Sequence, residues 1–181
     1  MDDIVKAAMA KWPQVPACYN WLGLDARGEW FMRDDPTQAA GPFPHPKGSQ
    51  VLHVQLRAFI ERNCSSDERG CWYFQNGPQR VFIELEAAPR VWRLNAPVSG
   101  AVVPELLSAA GEPAQVVATW LDEHGRLFVD TNIGFGLVHT LDMGLAADAI
   151  ETGAWPQPLE LAFADMPARF GYVLSPQALA R

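Results

Sequence analysis

Apolar residues recur at helical spacing in two segments of the first half of the chain, residues 2–12 and residues 49–63. In both segments the apolar positions lie three or four residues apart, which is typical of a helix that packs along one face. The sequence also predicts two shorter helices. One covers 104–110 and begins at a proline, and the other covers 145–152 and ends at Gly153.

The other apolar segments are short and rich in aromatic and β-branched residues, which favours strands. Residues 35–48 hold four prolines and two glycines, so they predict a loop. Pro78 follows an Asn-Gly pair, and we expect it to impose a hairpin loop longer than two residues. The predicted strands cover 18–24, 29–33, 72–75, 79–86, 90–95, 115–121, 126–131, 134–141, 158–164 and 169–174.

One eight-residue pattern occurs three times, as LDARGEWF, SDERGCWY and LDEHGRLF at 24–31, 66–73 and 121–128. Each copy has Asp at its second position, Gly three residues later, and aromatic or large apolar residues after that. The Asp carboxylate can accept backbone N–H bonds, while Gly adopts the positive φ that closes a type I turn with a bulge. The pattern therefore predicts three β-hairpin tips.

Strands joined by hairpins, with a few helices, indicate an α+β fold of antiparallel sheets in two related lobes. The spacing between the copies of the pattern is too uneven for a solenoid or a propeller. We expect an N-terminal α+β lobe over 1–98 and a C-terminal, mostly β lobe over 99–181, with residues 100–114 as the seam. One compact unit is the alternative.

Composition narrows the range of partners. The 181 residues carry a net charge of −7, which repels phosphate backbones, so we expect no nucleic-acid partner. No apolar stretch approaches the roughly 20 residues of a membrane helix, and the acidic N-terminus is unlike a secretory signal. The expectation is a soluble cytoplasmic protein without a membrane partner.

Motifs for metal or cofactor binding are not evident in the sequence. The three cysteines include no Cys-x-x-Cys pair and the four histidines are scattered, so we expect no metal and no cofactor. Reduced, structural thiols are expected in the absence of an export signal. His139, Asp142 and Ser175 could form a triad, but no serine lies in a Gly-x-Ser-x-Gly turn. We expect no catalytic residue.

The candidate ligand-binding residues are Arg80, Glu84, Trp92 and Asn132. Arg80 and Glu84 fall on one face of a predicted strand, and Trp92 on the next strand could form a wall of the same pocket. The alternative is a solvated sheet face with cross-strand ion pairs. Asn132 follows a strand and precedes the glycines of GFG at 134–136, which suits either a ligand loop or a turn between strands.

The order of motifs also resembles a known family. GEWF at 28–31, a helix, GCWYFQNGPQRVFIELEAAPRVWRL at 70–94 and LFVDTNIGFGLV at 127–138 resemble an uncharacterised proteobacterial family. They are more distantly similar to a second bacterial family of unknown function, and the likeness covers most of residues 20–140. The resemblance implies an α+β fold with repeated motifs in two parts and a role in signalling. It supplies no catalytic residues.

Two functional hypotheses follow. The first is a non-enzymatic module that binds a small molecule or a protein and acts in regulation. A homodimer is compatible with this hypothesis. The second is a small hydrolase or isomerase with a dispersed Asp, His and Arg site. An enzyme predicts a deep pocket where titratable groups converge, whereas a binding module predicts a broad aromatic or charged patch.

Overall fold

The computed structural model describes residues 1–97 and 103–180, and it confirms the α+β class. The helices are α1 (Asp3–Lys11), α2 (Asp35–Ala40), α3 (Val54–Arg62), α4 (Met143–Glu151), α5 (Met166–Phe170) and α6 (Pro176–Leu179). The strands are β1 (Cys18–Leu24), β2 (Trp30–Met32), β3 (Ser49–Gln50), β4 (Cys64–Ser66), β5 (Trp72–Asn76), β6 (Gln79–Leu85), β7 (Val91–Asn95), β8 (Glu105–Leu107), β9 (Pro113–Ala114), β10 (Val116–Leu121), β11 (Leu127–Thr131), β12 (Gly134–Val138) and β13 (Leu159–Glu160).

The chain divides into two compact units. The first comprises Met1–Asp25, Glu29–Ala87 and Gly171–Arg181, and the second comprises Ala26–Gly28 and Ala88–Phe170. The predicted division between 98 and 99, with the start of the predicted seam, lies outside the described residues. That division stays a prediction.

The first unit is built on a six-stranded sheet in the order β3-β2-β1-β6-β5-β4. Its neighbours pair antiparallel except for β1 and β6, which run parallel with Leu22 opposite Ile83. Asn20 has a positive φ of 65° where the register of β1 shifts. The buried strand residues include Leu22, Leu24 and Ile83, so the centre of the sheet forms the core of this unit.

The second unit has a seven-stranded sheet in the order β13-β10-β11-β12-β7-β8-β9. Helix α4 covers it, and its Ala146 and Ala149 are almost completely buried. Such small residues allow a helix to approach a sheet closely. The buried residues that share this core with them are Trp92, Leu94, Leu106, Leu127, Val129, Val138 and Trp155.

The three predicted hairpin tips are confirmed. They connect β1 to β2, β4 to β5 and β10 to β11, and all three pairs are antiparallel. In each tip one Asp oxygen accepts the backbone N–H four residues on, at 2.9 Å from Asp25, 2.8 Å from Asp67 and 2.8 Å from Asp122. The glycines have φ values of 75°, 79° and 71°, as the turn requires.

Two predictions in the first unit are wrong at their edges. Residues 35–40 form α2 within the predicted loop, because Asp34 accepts the Thr37 N–H at 3.0 Å and a proline occupies the first helical turn. Helix α3 begins only at Val54, five residues later than predicted, where the His53 side chain accepts the Leu56 N–H.

The predicted long loop after Asn76 is also wrong. Asn76 pairs with Gln79, so Gly77 and Pro78 alone form the turn between β5 and β6. Gly77 has a φ of 57°, a value suited to the first position of a two-residue hairpin loop. Because residue 77 is a glycine, it can adopt this positive φ directly before a proline.

Two further predictions, both in the second unit, are wrong. Residues 105–107 form β8, which pairs with β7, in place of the helix predicted over 104–110. Helix α5 occupies 166–170, where a strand was predicted to begin. The predicted helix over 145–152 is confirmed as α4, with Gly153 after it at a φ of 75°.

Within the described residues, the structure contains no helix that is long and apolar enough to cross a membrane.

Candidate functional site

A groove of about 250 Å³ lies on one face of the first sheet, between the strands and α3. Most of its lining is apolar, which is typical of sites for small organic ligands. The lining residues are Cys18, Trp21, Leu22, Met32, Leu56, Ile60, Phe74, Asn76, Gln79 and Val81. We call this site the apolar groove.

Strand register accounts for the floor of the groove. Val81 of β6 lies opposite Phe74 of β5 and opposite Cys18 of β1, so these three side chains leave the sheet on the same face. Helix α3 packs over this face through an edge-to-face contact of Phe59 with Phe74, whose ring centroids are 5.6 Å apart. Ile60 is the helix residue that becomes fully buried there.

The rim of the groove exposes large apolar side chains. Met32 is 52% exposed, Trp21 is 41% exposed and Leu56 is 38% exposed, although all three line the same cavity. Contiguous exposed apolar surface on a folded protein marks a site of interaction more often than scattered single residues do. The groove is therefore incompletely covered by its own chain.

Two amide side chains lie at one end of the groove. Asn76 and Gln79 are directly opposite each other in the β5–β6 ladder, so their side chains share a face beside the Gly77–Pro78 turn. The Gln79 amide nitrogen donates to the Pro16 carbonyl at 3.1 Å. Together the two amides supply hydrogen-bond donors and acceptors without a formal charge.

The charged side chains of α3 are held in contacts with other residues. Arg57 pairs with Glu29 at 3.1 Å, and Glu61 accepts a hydrogen bond from the Trp30 indole at 3.4 Å. Burial raises the pKa of Glu61 above its usual range, although the Trp30 hydrogen bond and the charge of Arg57 act in the opposite direction. These contacts fix the helix over the sheet.

A buried polar cluster lies elsewhere in the same unit. The Arg33 guanidinium is fully buried and donates to the Asn20 side-chain oxygen and, at 2.6 Å, to the Gly41 carbonyl. Glu84 is also buried and accepts the Gln177 N–H at 3.1 Å. Burial raises the pKa of Glu84, while hydrogen bonds from Ser175 and Gln177 and the charge of Arg33 lower it.

The predicted residues Arg80 and Glu84 therefore lie on one strand, β6, with different environments. Arg80 is exposed, and its guanidinium carbon lies 4.8 Å from the centroid of the Tyr73 ring. Such a cation–π contact is worth about 0.5–1 kcal/mol at an exposed site. Glu84 instead holds the start of α6 through the Gln177 N–H.

The predicted residues Trp92 and Asn132 lie in the second unit. Trp92 is fully buried, and a Cβ added at Gly136 would stand 2.6 Å from the Trp92 indole nitrogen. Gly136 of the GFG segment thus allows a close approach by the Trp92 side chain. Asn132 is exposed, and its side-chain oxygen accepts the Gln115 N–H at 2.7 Å. A ligand-binding role for all four residues stays a prediction.

His139 and Asp142 have contacts within the second unit that organise its backbone. Asp142 accepts from Arg93 at 2.6 Å and from the Leu94 N–H at 3.0 Å, and His139 accepts the Leu141 N–H at 3.1 Å. Burial acts to raise the pKa of Asp142, but these hydrogen bonds and the charge of Arg93 outweigh it and hold the pKa below its usual range.

The sequence analysis missed the apolar groove. In the sequence, Trp21 and Met32 cannot be told apart from the core residues of a strand, because nothing there shows which face of the sheet a helix will cover. Their strands are predicted, over 18–24 and 29–33, but no signal in the sequence shows that a helix leaves part of their face open. In the part of the chain that the structure describes, no three or more His, Cys, Asp or Glu residues are grouped to hold a metal ion.

Comparisons with known proteins identify the family of the chain. No curated protein matches it significantly. The chain is similar to a DUF1285 family protein from Shewanella baltica OS155 whose crystal structure is known, with 10% identity over 71% of this chain and 91% of that chain and a TM-score of 0.46. A family model described as "Protein of unknown function (DUF2946)" matches residues 1–177. The resemblance drawn from the motifs is thus confirmed, and the chain belongs to this family of proteins of unknown function.

Proposed function

We propose that the protein is a non-enzymatic binding module with a regulatory role, and that the apolar groove holds a small, largely apolar ligand. The observation that carries the proposal is the exposure of Met32, Trp21 and Leu56 around one cavity. Leaving such side chains in water forgoes part of the roughly 1.5–3 kcal/mol that full burial of each would contribute. A ligand that covers them recovers that energy.

The dimensions of the groove favour a small ligand. At about 250 Å³ it lies just below the roughly 300–1,000 Å³ of most drug-sized sites. Its walls come from strands and a helix, which position side chains more firmly than loops do. A compact aromatic or short aliphatic molecule suits this space.

The chemistry of the lining favours binding over catalysis. Cys18 is the one lining residue with an ionisable side chain, and the other polar side-chain groups are the amides of Asn76 and Gln79 and the indole N–H of Trp21. Hydrolysis or isomerisation needs an acid and a base within hydrogen-bond reach of the reacting atoms. The groove holds a ligand by contact area and offers no such pair.

Fluorescence titration with N-phenyl-1-naphthylamine, a neutral apolar probe, tests the proposal. We expect saturable one-to-one binding to the natural protein and at least tenfold weaker binding to Met32→Asp, because the new carboxylate must be desolvated at the rim. The matched control is Val117→Asp, which places the same charge at a strand position of the second unit that is 61% exposed. This variant should bind like the natural protein.

Equal losses in Met32→Asp and Val117→Asp, or no saturable binding, would contradict the proposal. A second measurement addresses the non-enzymatic part. Small molecules that stay bound through native purification are identified by mass spectrometry before and after prolonged incubation with the protein. We expect them to be unchanged, whereas conversion to a product would establish an enzyme.

A further inference from the structure

We infer that the apolar groove selects uncharged ligands with an amide or hydroxyl head and excludes carboxylates and other ions. This inference rests on the proposed function, since it specifies the chemical class of the ligand at the same site. It follows from the order of side chains along the groove and from the charges around it.

The polar and apolar parts of the groove follow the strands in order. The amides of Asn76 and Gln79 stand beside the Gly77–Pro78 turn. Val81 and Cys18 come next, and Leu22 with its partner Met32 lies farthest along β1. A ligand with one polar head and an apolar tail matches this order, with the head at the amides and the tail toward Met32.

The amide end can satisfy a head that both donates and accepts hydrogen bonds. The Asn76 side chain is exposed, and the Gln79 nitrogen is engaged with Pro16 while its oxygen can accept. A primary amide or a hydroxyl can donate to one oxygen and accept from one N–H. A carboxylate can accept from the Asn76 N–H groups, but it has no proton to donate to the Gln79 oxygen, so it satisfies fewer of these groups than an amide or a hydroxyl does.

Among the residues that the structure describes, the groove lining includes no cation that could neutralise a bound anion. Nearby α3 carries two arginines, but Arg57 pairs with Glu29 at 3.1 Å and Arg62 pairs with Asp2 at 3.3 Å. Burying an ionised group without a partner costs far more than burying a neutral polar group that is hydrogen-bonded. An anionic head therefore gains no ion pair in exchange for the hydration that it gives up on contact with the lining.

Helix α1 lies beside the amide end and does not change this balance. Ala8 is its nearest side chain, 3.9 Å from the position of a Cβ added at Gly77. On the same helix Lys6 pairs with Asp3 at 3.0 Å, and the Lys11 ammonium lies over the Trp12 ring at 4.5 Å. The net charge of −7 adds a general repulsion of anions at low salt.

Octanamide and octanoate form a matched pair of probes, alike in chain length and different in the charge of the head at neutral pH. Each is titrated against protein loaded with N-phenyl-1-naphthylamine, and displacement of the fluorescent probe gives the affinity. We expect octanamide to bind at least tenfold more tightly than octanoate. Asn76→Leu should lower the ratio of octanamide affinity to fluorescent-probe affinity several-fold, because only octanamide has a head for this side chain to bond. Gln55→Leu, on the exposed part of α3, should change neither affinity.

The outcomes separate the two claims. The ligand class is wrong if octanamide and octanoate bind equally tightly, or if neither displaces the fluorescent probe. The proposed function still stands in both cases, provided that Met32→Asp weakens binding of the fluorescent probe. Loss of Met32-dependent binding of the fluorescent probe itself overturns the proposed function. A stronger effect of Gln55→Leu than of Asn76→Leu would also contradict the assignment of the head to the amide end.

Discussion

Each unit packs a helix of nine residues over a sheet, but the two helices cover their sheets to different degrees. Helix α4 presents Ala146 and Ala149, and the sheet residues beneath it are almost completely buried. Helix α3 buries only Ile60 fully and leaves a cavity of about 250 Å³ with exposed Met32 and Leu56 at its rim. The sheet is closely packed under α4, whereas a groove stays open under α3.

Truncation of one leucine in each unit should give the largest contrast. Leu127, 2% exposed in the α4 core, should lose about 2–5 kcal/mol of unfolding free energy on replacement by Ala, because transfer and cavity costs add. Leu56→Ala at the rim of the groove should cost less than about 1 kcal/mol. Urea denaturation followed by tryptophan fluorescence measures both, and similar losses would remove the contrast between the units.

Addition of a methyl group at one glycine in each unit sharpens the comparison. A Cβ at Gly136 would meet the Arg90 carbonyl oxygen and the Trp92 indole nitrogen, both at 2.6 Å, so Gly136→Ala should cost about 1–3 kcal/mol or more. The three atoms nearest to a Cβ at Gly23 all belong to the Phe43 ring, at 2.5–2.9 Å, and a side chain moves more readily than backbone. Thermal denaturation should show a smaller loss for Gly23→Ala, and the reverse order would contradict a rigid second unit.

The buried carboxylates Asp142 and Glu84 should give opposite, smaller effects. The pKa of Asp142 is lower in the folded protein, so its stabilisation is present above about pH 4, the unfolded value, and is lost as pH falls through the folded pKa. The pKa of Glu84 is raised, so its ionised form costs stability at neutral pH, and this cost is relieved as pH falls through the folded pKa toward about 4.3.

At pH 7, Asp142→Asn should therefore lose about 1–2 kcal/mol of unfolding free energy, whereas Glu84→Gln should be neutral or stabilising. Urea denaturation across pH 3–8 measures both. Glu84→Gln should also flatten the profile above about pH 4.3, and Asp142→Asn should flatten it below about pH 4. A loss in Glu84→Gln larger than that in Asp142→Asn would show that the Glu84 charge is a net stabiliser.

The sequence predicts the parts of this fold that local chemistry decides. The tips at Asp25, Asp67 and Asp122 depend on an Asp oxygen and a glycine within four residues, so they are visible in the sequence. Residues 105–107 look helical because a proline precedes and a glycine follows them, yet pairing with β7 makes them a strand. Contacts between segments distant in sequence overrode the local preference there.

The candidate site, like β8, depends on contacts between segments that are distant in sequence. Glu84 and Trp92 stand out in the sequence as chemical groups, but their burial depends on α6 and α4, which cover them from far along the chain. The apolar groove depends on the opposite event, the partial cover of Met32 and Trp21 by α3. A single sequence contains no local signal for how far a helix covers a sheet.

Methionine methyl NMR tests the central claim most directly, because methionines occur in both units. Protein labelled with ¹³C at the methionine methyl groups is titrated with octanamide. The Met32 signal, from the rim of the groove, should shift progressively and saturate, while those of Met143 and Met166, packed in the second unit, should stay in place. Shifts at Met143 or Met166 without a shift at Met32 would contradict a binding site in the apolar groove.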